Sequence, residues 1–237
     1  MKIIGFDFSI KKPACCIYDH NFAQYRFVTW PKISDRLKDV YRSNGVEVID
    51  REDPDLRQGQ NLSVTQKMVH SVECAGILAG QIAERFRLEA EDDPDLWVLW
   101  EGLSYGSSGN VALDLSGYKY IVMDRLKDVV SLSNQVTYAP QTIKKVAGCS
   151  HKITNEKGKK VSQGKPEMIE AMLRHADGKG IQLVDGINLD RQPFRKKGDR
   201  NWIDHLDDIV DSYWLVQTFI EREILPMGLD VRDEDVY

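Results

Sequence analysis

Cysteine is scarce in this chain of 237 residues: there are four, Cys15, Cys16, Cys74 and Cys149. None has the short spacing of a zinc knuckle, and the adjacent pair would point to opposite sides of a strand. A cysteine metal site is therefore excluded, and the thiols read as reduced and intracellular. No apolar run approaches the roughly 18 residues that cross a bilayer, and the N-terminus lacks the pattern of a secretory signal. The expectation is a soluble protein of the cytoplasm with no membrane partner. Positive charge is in deficit too: 32 lysines and arginines against 37 acids leave a net charge of −5 and a pI near 5.6. That argues against a generic nucleic-acid coat, although an acidic total can hide a local basic face.

What is present is a core of ordinary size. Hydrophobic residues make up 42% of the chain. At this length they suffice for one substantial domain, expected over 1–237 with insertions around 31–57 and 177–200. The chain opens on Lys2-Ile3-Ile4-Gly5-Phe6-Asp7-Phe8-Ser9, whose nearly unbroken apolar residues predict a central strand buried on both faces. Asp7 interrupts it. A buried carboxylate is costly unless a cation or hydrogen bonds compensate it, so Asp7 is either a ligand for a divalent metal or a cap on the turn from Ser9 to Lys12. Strands over 14–18 and 25–30 complete an antiparallel meander. A short helix over 35–41, a possible strand over 46–49 and a charged loop follow. A long helix over 62–86 comes next, with Val64, Met68, Val72, Ala75, Leu78 and Ile82 as the stripe that should pack on the sheet.

Leu96-Trp97-Val98-Leu99-Trp100 is a second all-apolar run, and it too ends in an acid, Glu101. If the two strands are parallel neighbours, both carboxylates meet at one edge of the sheet, where like charges repel unless a cation sits between them. The Gly/Ser-rich loop that follows carries Tyr105 and lies where a substrate would lie. After a helix over 111–130, a strand over 135–138 leads through Pro140 into a helix over 142–146. Between Lys144 and Lys165 the composition changes: Lys144, Lys145, Lys152, Lys157, Lys159, Lys160 and Lys165 surround a single acid, Glu156. Such lysines suit phosphate contacts; the alternative is a solvated hairpin tip around 155–159. A helix over 166–175 and an irregular basic insertion over 177–200 precede a last helix over 204–225. That helix packs through Leu206, Ile209, Tyr213, Val216 and Ile220 and carries Asp208 and Asp211 three apart on another face. The helix dipole accounts for Asp204 and Asp207 near its start. Asp208 and Asp211, each followed by apolar residues, read better as metal ligands.

In this order of parts the chain resembles the RuvC-like Holliday junction resolvases of the RNase H-like superfamily. The resemblance rests on the four acids, on Glu101-Gly102-Leu103-Ser104-Tyr105 leading to a helix, on Tyr138-Ala139-Pro140-Gln141-Thr142-Ile143-Lys144-Lys145, and on Lys165 before Glu167-Met168-Ile169. It implies an α/β fold of the RNase H-like kind: a mixed five-stranded sheet, three antiparallel strands followed by parallel ones, with helices on both faces. It implies a metal-dependent endonuclease in which Asp7, Glu101, Asp208 and Asp211 hold two Mg²⁺ ions, replaceable by Mn²⁺. Tyr105, Lys144, Lys145 and Lys165 would meet DNA, and a homodimer would set two such sites against a four-way junction. The family's Asp-Pro-Gly is here Asp7-Phe8-Ser9, and its Asp-Ala-Ala-Asp-Ala-Leu is here Asp208-Ile209-Val210-Asp211-Ser212-Tyr213. These departures and the extra segments fit phage-encoded members acting in a bacterial host's cytoplasm. Rival readings are a related nuclease for flaps or forks, a catalytically silent junction binder, and a small-molecule kinase of the actin-like superfamily. The kinase needs a second domain and glycine-rich phosphate loops that the sequence lacks.

Overall fold

The computed structural model describes residues 1–52, 63–102, 110–154, 158–178 and 206–228. Its first three strands, β1 (Lys2–Asp7), β2 (Ala14–Asp19) and β3 (Gln24–Thr29), form the antiparallel meander, with Asp7 opposite Ala14. A short helix α1 (Asp35–Arg42) returns the chain to β4 (Val46–Val48), which lies parallel to β3. After the long helix α2 (Val64–Asp92), β5 (Leu96–Glu101) lies parallel to β1, and β6 (Gln135–Tyr138) lies parallel to β5. The sheet order is β4-β3-β2-β1-β5-β6. This is the expected mixed sheet of antiparallel and parallel strands, with six strands rather than five. The extra one is the three-residue β4, which falls on the possible strand over 46–49 and joins the sheet beside β3.

Alternation along β1 divides the interior into two cores. Ile4 and Phe6 face α2 and α3 (Asn110–Leu126), in a cluster with Trp30, Leu78, Ile82, Phe86, Trp100 and Val122. Phe6 is its centre and meets Phe8, Trp30, Phe86 and Trp100 edge-on. Ile3 faces the other way, into a cluster built with α4 (Pro140–Val146), α5 (Lys165–Gly178) and α6 (Leu206–Phe219). Helices therefore cover both faces. A side chain at Gly5 would drive its Cβ into the Ser212 carbonyl oxygen, so α6 crosses β1 backbone against backbone. That close approach is what brings the acids of α6 to the end of β1.

The expected stripe of α2 holds only in part. Ala75, Leu78, Ile82 and Phe86 are buried, but Val64, Met68 and Val72 are 75%, 65% and 61% exposed. A helix of 29 residues rises about 43 Å, whereas a six-residue strand spans about 20 Å. Because α2 ends where β5 begins, its first turns overhang the sheet at the Glu101 end and have no strand beneath them. The helix also runs on past Phe86 to Asp92, ending in a buried ion network at the opposite edge. Glu89 there accepts from Lys2 at 2.9 Å, Arg26 at 2.7 Å and Arg85 at 2.6 Å. Among the described residues no helix is long and apolar enough to cross a membrane.

Candidate active site

Parallel pairing of β1 and β5 sets Phe6 opposite Trp100, so Asp7 and Glu101 leave the sheet side by side at one edge. From the helix pressed onto Gly5, Asp211 reaches the same point. One carboxylate oxygen from each of Asp7, Glu101 and Asp211 lies within 4.8 Å of the others. Asp7 is 8% and Asp211 7% exposed. Burial pushes all three carboxyls above their ordinary pKa, helped at Asp7 by Asp208, Asp211 and Glu101, at Glu101 by Asp211 and at Asp211 by Asp207, while the Lys165 ammonium opposes the rise.

Asp208, the fourth acid of the expected set, adjoins this trio but is tethered aside. Ser9 Oγ donates to its Oδ2 at 2.8 Å, and Lys12 Nζ lies 3.8 Å away while pairing with Asp207 at 2.5 Å. Burial and the neighbouring Asp207 carboxylate push Asp208 up to about 7. Ser9 Oγ also accepts the Lys12 backbone N–H at 3.0 Å. The turn after β1 is thus closed by Ser9, not by Asp7, and the capping alternative for Asp7 is replaced by a serine that orients Asp208.

These hard oxygens, with Lys165 the one cation in ion-pair distance of the trio among the described residues, are a donor set that a divalent cation such as Mg²⁺ fits. The acids border a cleft of about 410 Å³ whose wall also carries Lys119, Lys144 and Lys165. Lys165 Nζ pairs with Asp211 and lies 3.9 Å from Asp207. Burial alone would lower its pKa, but Asp211 and Asp7 outweigh that and raise it. Lys145, one position on from Lys144, is exposed and does not line the cleft. Tyr105 lies outside the described residues, as do Lys157 and most of 177–200.

Shortly before Gly164 and Lys165, which line the cleft, the chain forms a separate ribbon of β7 (Lys152–Thr154) and β8 (Lys160–Ser162), paired Lys152 to Ser162 and Thr154 to Lys160. Directly opposed residues share a face, so one side carries Lys152, Thr154, Lys160 and Ser162 and the other Ile153 and Val161.

Sequence reasoning missed Ser9 and Lys119. The second had a legible signal, because Leu115, Lys119, Val122 and Leu126 share one helical stripe in which a lysine is out of place.

No family model matches the chain. No curated protein matches it either. Solved structures similar to it include Thermus thermophilus RuvC in complex with Holliday junction substrate, at 10% identity and a TM-score of 0.47, covering 94% of this chain and 96% of that one. Another structure of Thermus thermophilus RuvC is 13% identical with a TM-score of 0.46, covering 96% and 97%. The yeast mitochondrial Holliday junction resolvase is 12% identical with a TM-score of 0.43, covering 92% of this chain and 77% of that one.

Proposed function

We propose that the chain is a metal-dependent endonuclease that cuts branched DNA, with the four-way junction as its main substrate. Asp7, Glu101 and Asp211 form the centre of the metal site, and Asp208 supplies the fourth carboxylate. The observation that carries this reading is the convergence of two buried acids, Asp7 from β1 and Asp211 from α6, with the half-buried Glu101 from β5 beside a cleft walled by lysines. Magnesium bound by these acids would supply Lewis acidity for phosphodiester hydrolysis. Lys144 and Lys165 would neutralise the phosphate brought to the acids. Lys165, which pairs with Asp211, would turn from that carboxylate to the DNA. The exposed Lys145 and the lysine face of the β7–β8 ribbon would follow the duplex beyond the cleft. Tyr105 would stack on an unpaired base at the branch point, and a homodimer would present two clefts to opposite strands.

The test is incubation with labelled four-way junction, flap and linear duplex DNA, each with and without Mg²⁺. Paired cuts at symmetric junction positions, only with Mg²⁺ and absent from linear duplex, are the expected result. Cutting of flaps alone would move the substrate to replication intermediates. Junction binding without any cut would leave a silent binder and end the nuclease reading.

A further inference from the structure

Helix α3 buries a lysine where its packing stripe calls for an apolar residue. Lys119 is 6% exposed, between Leu115 and Val122 on the face turned to the sheet. Its Nζ donates to the Glu101 carbonyl oxygen at 2.5 Å and lies 5.4 Å from the centroid of the Trp100 ring. Among the described residues no carboxylate is within ion-pair distance of it; burial lowers its pKa, and Glu101 and Asp7, attracting it from further off, offset that only in part. Burying an ammonium without an ion pair is costly, and a methionine or leucine would complete the stripe without that cost. Stability therefore does not explain Lys119. Its location does, because the side chain lines the same cleft as Asp7, Glu101 and Asp211.

An ammonium has three N–H donors. The Glu101 carbonyl takes one, and the Trp100 face stabilises the charge without using up the rest. Donor capacity remains on the cleft side, at the depth of the acids, where Lys144 and Lys165 approach from other elements. We propose that Lys119 contacts the scissile phosphate from the floor of the cleft and stabilises the charge that grows on its non-bridging oxygens during hydrolysis. This rests on the nuclease reading and adds to it a catalytic residue from α3. A fixed cation in a water-poor site suits such a role because it needs no reorganisation as the charge develops.

The competing role is purely positional: Lys119 would hold the Glu101 carbonyl and so aim the Glu101 carboxylate. Two variants separate the roles. Lys119→Met removes charge and donor together, whereas Lys119→Gln removes the charge and keeps a donor for the carbonyl. For each, we would measure turnover at saturating junction and Mg²⁺, junction affinity without metal, Mn²⁺ affinity of the DNA-free protein by calorimetry, and melting temperature. A phosphate contact predicts that both variants lose about 100-fold in turnover, with Mn²⁺ affinity within about threefold of wild type and no fall in melting temperature. Full turnover in Lys119→Gln, or a loss of Mn²⁺ affinity that matches the loss of turnover, would overturn the phosphate role in favour of positioning. If Lys119→Met fails to fold, Lys119→Gln decides alone. A wild-type protein that cuts no branched DNA would instead sink the nuclease reading, and this proposal with it.

Discussion

At the scale of single residues, the acids differ in what holds them, and their substitutions should differ accordingly. Asp211 joins the trio and has Lys165 as its counter-ion, so Asp211→Asn should abolish Mg²⁺-dependent cleavage while junction binding survives. Asp208 is held by Ser9 instead. Ser9→Ala should therefore lower the affinity or the number of metal ions bound, read by calorimetric titration, while leaving the trio in place. If Ser9→Ala binds metal as wild type does, Asp208 takes no part in the site. Gly5 is the third residue of this kind, since any side chain there collides with the Ser212 backbone and pushes α6 off β1. Gly5→Ala should cost both stability and cleavage, seen as a lower melting temperature and slower cutting together. Asp7 and Glu101 were legible in the sequence because an acid ending an apolar run is out of place twice over. The Ser9 tether was not, since it joins residues 199 positions apart and no local pattern records that.

Among the elements, the misjudged part of α2 has the same kind of cause. Helical periodicity says which face is apolar, but not where the sheet beneath it stops. The stripe through Val64, Met68 and Val72 continues in register past the last strand that could cover it. The β7–β8 ribbon was legible as composition, lysines with little acid, but its geometry was not. Only the pairing register puts Lys152 and Lys160 on one face with two hydroxyls. That face has a measurable consequence if it lies on duplex phosphate. In a cleavage-dead Asp211→Asn background, Lys152→Ser with Lys160→Ser should weaken junction binding and flatten its dependence on salt, by about one unit of log–log slope for each phosphate that a lysine no longer neutralises. Val161→Thr, on the other face, should change neither. An unchanged slope in the lysine variant would return the ribbon to the status of a solvated hairpin.

For the whole molecule, the acid site and the Glu89 network sit at opposite edges of one sheet and pull stability in opposite directions with pH. Glu89 is lowered to about 2: burial would raise it, but Arg26, Lys2 and Arg85 overcome that. Its contribution is present above the ordinary carboxylate range and is lost only in strong acid. Asp7, Glu101 and Asp211 are raised by burial and repulsion, and Asp208 is raised to about 7. The folded state therefore binds protons that the unfolded chain has released by about pH 5, and stability falls as pH rises through the folded pKa values. Without metal, the melting temperature should fall steadily between about pH 5 and pH 7.5, a window in which the Glu89 contribution is constant. Magnesium reverses the sign of the interaction among ionised carboxylates, so it should raise the melting temperature more at about pH 7.5 than at about pH 5, where Asp208 holds its proton. Asp208→Asn should flatten the metal-free decline, and Glu89→Gln should lower the whole curve without changing its slope in this window. A chelated protein that is more stable at the upper end of this window than at the lower, with no gain from magnesium, would show that these carboxylates do not crowd one another, and the cation site built on their crowding would go with them.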